Sequence, residues 1–79
     1  MSVTPNQTLD AKNMSCPMPV LKTKKIMKGM EIGQILEIIA TDPGSMKDMA
    51  SFCRTTGQEL ISSEERSDKT FRFLIKKVK

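Results

Sequence analysis

The sequence predicts a two-layer α/β (α+β) sandwich, β-α-β-α-β-β in order, with two helices packed on one face of a four-stranded mixed sheet. Three observations predict it. Two segments carry apolar residues at intervals of three or four, the period of an amphipathic helix. Shorter segments between and after them are β-branched or alternate in the period of a strand. Proline, glycine and an Asp-Pro step fall at the joints between the two kinds. Seventy-nine residues leave room for one domain, residues 1–79, with residues 1–6 and 77–79 expected as flexible tails.

The elements follow in order. Residues 8–11 form a short strand, and residues 12–15 a loop that Asn13 helps to turn, because asparagine tolerates left-handed backbone angles. A helix over residues 17–30 opens with Pro17 in its first turn and closes near Gly29, with Gly33 marking the next turn. Its buried stripe is Cys16, Pro19, Val20, Thr23, Ile26, Met27 and Met30, while Lys22, Lys24, Lys25 and Lys28 occupy the rest. Residues 35–41 are apolar on both alternating faces apart from Glu37, which suits a central strand. Asp42 as N-cap and Pro43 as first helical residue open the second helix, with Met46, Met49, Ala50 and Cys53 on its inner face and Gly57 as its C-terminal cap. Residues 59–63 and 70–76 read as a hairpin around a polar turn at 66–69, with Phe71, Phe73 and Ile75 on one side.

Composition narrows the function. Hydrophobic residues at 38% and charged residues at 28% are a globular balance, so the chain is expected to fold rather than remain disordered. The apolar run at 35–40 is broken by Glu37, too short to span a bilayer, and residues 1–8 lack the basic start and apolar core of a secretion signal, so a cytoplasmic location and no membrane contact are expected. With no histidine and two cysteines, Cys16 and Cys53, zinc sites of the usual composition and histidine-assisted nucleophiles are excluded, and a disulfide scaffold is disfavoured. The net charge of +4 favours acidic partners or RNA without choosing between them.

One stretch carries chemistry: Cys16, Pro17, Met18 and Pro19 form a C-P-x-P sequence where loop meets helix. A thiol at a helix start faces unpaired backbone amides and the positive end of the dipole, which favour thiolate and would equally stabilise the terminal sulfur of a persulfide. Pro17 fixes the backbone angle and removes one competing amide. The plain alternative is that Cys16 is a small buried residue heading the helix stripe. Met18 and Leu21 argue against it, as apolar groups off the buried face beside Lys22 and Lys25, a pattern that fits partner docking. Asp10 either holds the 12–15 loop through backbone amides or is a solvated carboxylate. Cys53 reads as a core residue, and otherwise as a resolving thiol for Cys16.

The order of an acidic residue, a short loop and C-P-x-P opening a helix, here Asp10 to Pro19, resembles the TusA or SirA family of small sulfur-carrier proteins. The likeness continues through Gly33, the helix start Asp42, Pro43, Gly44 and Ser45, and Gly57. The chain departs from it at Asn13, where the family usually has glycine, and at Gln58, where many members have histidine. The resemblance implies the same two-layer fold and a sulfurtransferase without cofactor, its cargo a covalent persulfide sulfur on Cys16, with Asp10, Pro17 and Pro19 as positioning residues. It implies a donor, a cysteine desulfurase or rhodanese-like protein, and a downstream acceptor protein, in tRNA thiolation, molybdenum cofactor assembly or dissimilatory sulfur oxidation. A monomer with transient complexes and no direct nucleic acid binding is the corresponding expectation. Two competing readings are an RNA- or protein-binding module on the basic first helix, and a redox switch between Cys16 and Cys53.

Overall fold

The computed structural model describes residues 5–15 and 18–79; Cys16 and Pro17, with the expectations that fall on them, lie outside the described residues. Six elements run in the expected order: β1 (Gln7–Ala11), α1 (Met18–Lys28), β2 (Ile35–Ala40), α2 (Ser45–Thr56), β3 (Glu59–Glu65) and β4 (Phe71–Lys76). They form an α+β fold with one mixed sheet in the order β1-β2-β4-β3. β1 is parallel to β2, and the other neighbours are antiparallel. The β1-α1-β2 crossover makes β2 central, which is why its residues are apolar on both faces.

Alternation sets the core. Leu9, Ala11, Leu36, Ile38, Ala40, Phe71, Phe73 and Ile75 point to one side of the sheet and are buried. α1 packs over β1 and β2, α2 over β3 and β4, and the helices meet each other. Their contribution to the same cluster is Met27, Met30, Met49, Phe52 and Cys53, with Val20, Ile26 and Met46 partly buried against it. Thr23, fully buried at the helix contact, satisfies its hydroxyl on Pro19 O at 2.8 Å, one turn back along α1.

The opposite sheet face explains Glu37. Its carboxylate pairs with Arg72 Nε on β4 and accepts from Thr8 Oγ1 on β1 at 3.1 Å, and Arg72 Nη1 reaches Glu64 Oε1 on β3 at 3.5 Å. One charged cluster therefore links all four strands across the face the helices leave open. Arg72 holds the Glu37 carboxyl below the usual range of a glutamate.

Three expectations about the helices need correction. On α2 the inner face is Ser45, Met49, Phe52 and Cys53, and Ala50 is exposed; the stripe is rotated because the large Phe52 ring takes the core position. The regular part of α2 starts at Ser45 with Gly44 at its N-cap position, two residues later than read from Asp42 and Pro43. Asp42 still caps the tight turn ahead of it, its Oδ1 accepting from Gly44 N–H at 2.9 Å while Ser45 N–H donates to Asp42 O. α1 ends at Lys28, because Gly29 and Met30 N–H donate three residues back, to Ile26 and Met27, and tighten the last turn.

The end regions, expected as tails, are tied down where described. Asn6 exchanges hydrogen bonds with Ile35, both at 2.8 Å. Lys77 Nζ donates to Met27 O and Met30 O, each at 2.7 Å, capping α1, and its backbone bonds Gly33 and Gln34. Gln58 Oε1 accepts from Val78 N–H and Lys79 N–H. Gly33 sits at φ +97 and Gly57, the C-cap of α2, at φ +78, which accounts for glycine at both positions. Among the described residues no helix is long and apolar enough to cross a membrane.

Candidate functional site

The connection from β1 to α1 is built from local hydrogen bonds and one long-range tie. Asp10, exposed at the end of β1, accepts Lys12 N–H on Oδ1 at 3.1 Å, which folds the chain back on itself directly after the strand. Asn13 adopts φ +65, the left-handed region that asparagine tolerates better than most side chains. Its N–H donates to Thr41 Oγ1 at 2.9 Å. Met14 N–H returns to Ala11 O at 3.3 Å, and the Met14 side chain packs against the core. Met18 N–H donates to Ser15 O at 2.9 Å, so the residues on either side of Cys16 and Pro17 are held within one turn of each other.

Beyond the loop, Pro19 is buried and anchors the first turn of α1 to the interior. Met18 at 44% and Leu21 at 52% exposure stand out as large apolar side chains turned to solvent. With Lys22 and Lys25, both exposed, they fall three and four residues apart and form one continuous helical stripe. The structure thus groups all four residues read from the sequence as partner-docking. A groove of about 420 Å³ runs beside this stripe between the helices, with Val20, Leu21 and Lys24 on α1 and Asp48, Phe52 and Thr55 on α2. A second depression, about 480 Å³, lies at the sheet end from which the loop emerges, between Thr41, Pro43 and Met46 and the hairpin residues Glu65, Lys69 and Phe71.

Cys53 has a different environment. It is buried on the inner face of α2, and burial pushes its thiol up to about 11. The aromatic residues are likewise spent in the core: Phe52, Phe71 and Phe73 are all buried, and the chain has no tyrosine or tryptophan.

Two contributors escaped the sequence reading. Thr41 gives no local signal, and its place beside Asn13 follows only from the register Ala11↔Ala40, which sets the residues after β1 and β2 next to each other. Gln58 was visible as a departure from the resembled pattern, but its bonds to the last two residues depend on the full course of β4.

Comparison with known proteins places this architecture. Residues 7–77 match the family model described as sulfurtransferase TusA. The sulfur carrier protein TusA of Allochromatium vinosum is 51% identical over 72 residues, covering 91% of this chain and 93% of its own. The protein YrkI of Bacillus subtilis is 40% identical over 72 residues, covering 91% of this chain and 95% of its own. The crystal structure of a SirA-like protein from Desulfitobacterium hafniense superposes with a TM-score of 0.82 over 92% of this chain and 99% of that one, at 20% identity, and shows the same fold.

Proposed function

Because the chain belongs to the sulfurtransferase TusA family, we propose that it is a sulfur carrier that holds sulfane sulfur as a persulfide on Cys16 and hands it to a partner protein. The observation that carries this reading is the state of the other thiol. Cys53 is buried, and burial pushes its thiol up to about 11, which supports Cys16 as the thiol that works as a thiolate. The C-P-x-P sequence puts Cys16 two positions ahead of α1, after a loop with its own network of backbone ties.

The reaction is a pair of exchanges at sulfur. Cys16 thiolate attacks the outer sulfur of a donor persulfide, forming the Cys16 persulfide as the donor's own thiolate leaves. An acceptor thiolate then attacks that outer sulfur and Cys16 thiolate leaves in turn. Sulfur moves with no net oxidation, so no cofactor is required. The exposed stripe of Met18, Leu21, Lys22 and Lys25 gives the donor, a cysteine desulfurase or rhodanese-like protein, and the acceptor a mixed apolar and cationic surface. The pathway served is tRNA thiolation or dissimilatory sulfur oxidation, in the cytoplasm, through transient complexes of a monomer. The alternative of base recognition on a basic module is weakened by the burial of every phenylalanine, which leaves no aromatic platform for stacking.

Intact-mass measurement after incubation with a cysteine desulfurase and cysteine tests the proposal. The chain gains roughly 32 Da, reversed by reductant. Cys16→Ser removes the gain and Cys53→Ser retains it; a Cys16→Ser chain that still takes up sulfur overturns the assignment.

A further inference from the structure

Four lysines from two segments far apart in sequence line one small depression. Lys24 and Lys28 come from α1 and Lys77 and Lys79 from the chain after β4, around a volume of about 180 Å³ whose lining includes no carboxylate. Lys24 and Lys28 are four residues apart, so their ammoniums repel along the helix. Among the described residues none of the four pairs with a carboxylate. The fold nevertheless holds these charges in place. Lys77 Nζ donates to Met27 O and Met30 O, each at 2.7 Å, which uses two of its three protons. Gln58 Oε1 accepts from Val78 N–H at 2.8 Å and from Lys79 N–H at 3.2 Å. The Lys79 stem lies over Gly57, where an added Cβ would come within 2.8 Å of Nζ. Helix ends explain part of the gathering, because the last turn of α1 and the C-cap of α2 both meet here. Each helix end carries about half a negative charge, and a free carboxylate on Lys79 adds one, so four ammoniums keep an excess of about two.

From this arrangement we infer that the depression is a binding site for a small tetrahedral dianion of the phosphate or sulfate class, free or as the terminal group of a small molecule. Several ammoniums converging on one point suit the spread charge and many acceptor oxygens of such an ion. Size points the same way. At about 180 Å³ the depression falls below the roughly 300 to 1,000 Å³ that hold a cofactor-sized ligand, and it leaves room for one compact group. The other two lysines of α1, Lys22 and Lys25, do not line it. They belong to the exposed stripe of Met18 and Leu21. The site uses neither thiol and stands whether or not the chain carries sulfur.

The test is a titration of the full chain with sodium phosphate at fixed pH, with ionic strength balanced by sodium chloride, followed through backbone amide NMR shifts. Phosphate moves the amides of Gly57, Gln58, Val78 and Lys79 to a saturating limit, and sulfate displaces it. Lys28→Gln and Lys79→Gln, both at exposed positions, each weaken binding about 3- to 5-fold. Lys22→Gln and Lys25→Gln remove the same charge elsewhere on α1 and leave the affinity unchanged. An alkyl phosphate monoester titrated alongside separates the two sources: affinity equal to that of phosphate supports a terminal group as ligand, and loss of binding supports the free ion. Shifts that rise linearly without saturating, or an affinity that falls equally in all four variants, mean an adventitious ion only and overturn the inference. A single-stranded RNA oligonucleotide that binds these residues more tightly with increasing length, where phosphate does not saturate, also overturns it, because the lysines then belong to a nucleic-acid surface.

Discussion

The two strand-to-helix connections of this protein start with the same device and end differently. After β1, Asp10 accepts the N–H of Lys12; after β2, Asp42 accepts the N–H of Gly44. In each case an aspartate carboxylate turns the chain by bonding the amide two residues on. From Asp42 the helix begins three positions later, at Ser45, which is fully buried, and Asp48 N–H closes on Gly44 O. From Asp10 the helix begins eight positions later, at Met18, after a left-handed asparagine and within the C-P-x-P motif. The short connection spends its residues on starting a helix. The long one spends five more residues before its helix, and in sequence the proposed sulfur site is among them.

The largest effect that sharpens this contrast is on stability. Asp42→Ala removes the cap from the turn that launches a packed helix and lowers unfolding free energy by about 1 kcal/mol, read as a lower urea midpoint with sulfur loading unchanged. Asp10→Ala, at an exposed site, costs less than about 0.5 kcal/mol but changes the alkylation rate of Cys16. Equal stability losses with no change at Cys16 would erase the distinction between the two connections.

A smaller effect concerns the strands feeding them. Glu37 on β2 accepts from Thr8 on β1 and pairs with Arg72, and its carboxyl titrates below the ordinary 4.5. The folded chain therefore binds that proton more weakly than the unfolded chain does. The stabilisation is full above pH 4.5 and is lost as pH falls through the lowered folded value. Glu37→Gln costs about 0.5 kcal/mol at pH 7, and the difference from the original chain shrinks toward zero in acid. A difference that grows in acid contradicts the sign.

Much of this contrast is legible in the sequence. Periods of two and of three to four residues, with proline and glycine at the joints, ordered all six elements, and C-P-x-P drew attention to one joint over the other. What escaped depended on side chains whose burial hydropathy does not report. Ser45 is polar yet fully buried, and Ala50 is apolar yet exposed, so the inner face of α2 was read with a rotation. Thr41, Gln58 and Lys77 each bond residues at least 20 positions away, and such pairs are fixed by strand register and helix placement, not by neighbours in the chain. Lysine at 77 reads as a solvated tail, while in the fold its ammonium caps α1.

The central claim is that the two thiols differ: Cys16 is the proposed reactive one, and Cys53 is buried on the inner face of α2. Peptide-resolved alkylation of the native chain across pH measures this directly. The account predicts that Cys16 labels at neutral pH with an ionisation more acidic than a free cysteine, while Cys53, its thiol raised to about 11, labels only on unfolding. Native labelling of Cys53 at a rate equal to that of Cys16, or a Cys16 that ionises no more readily than free cysteine, would contradict it.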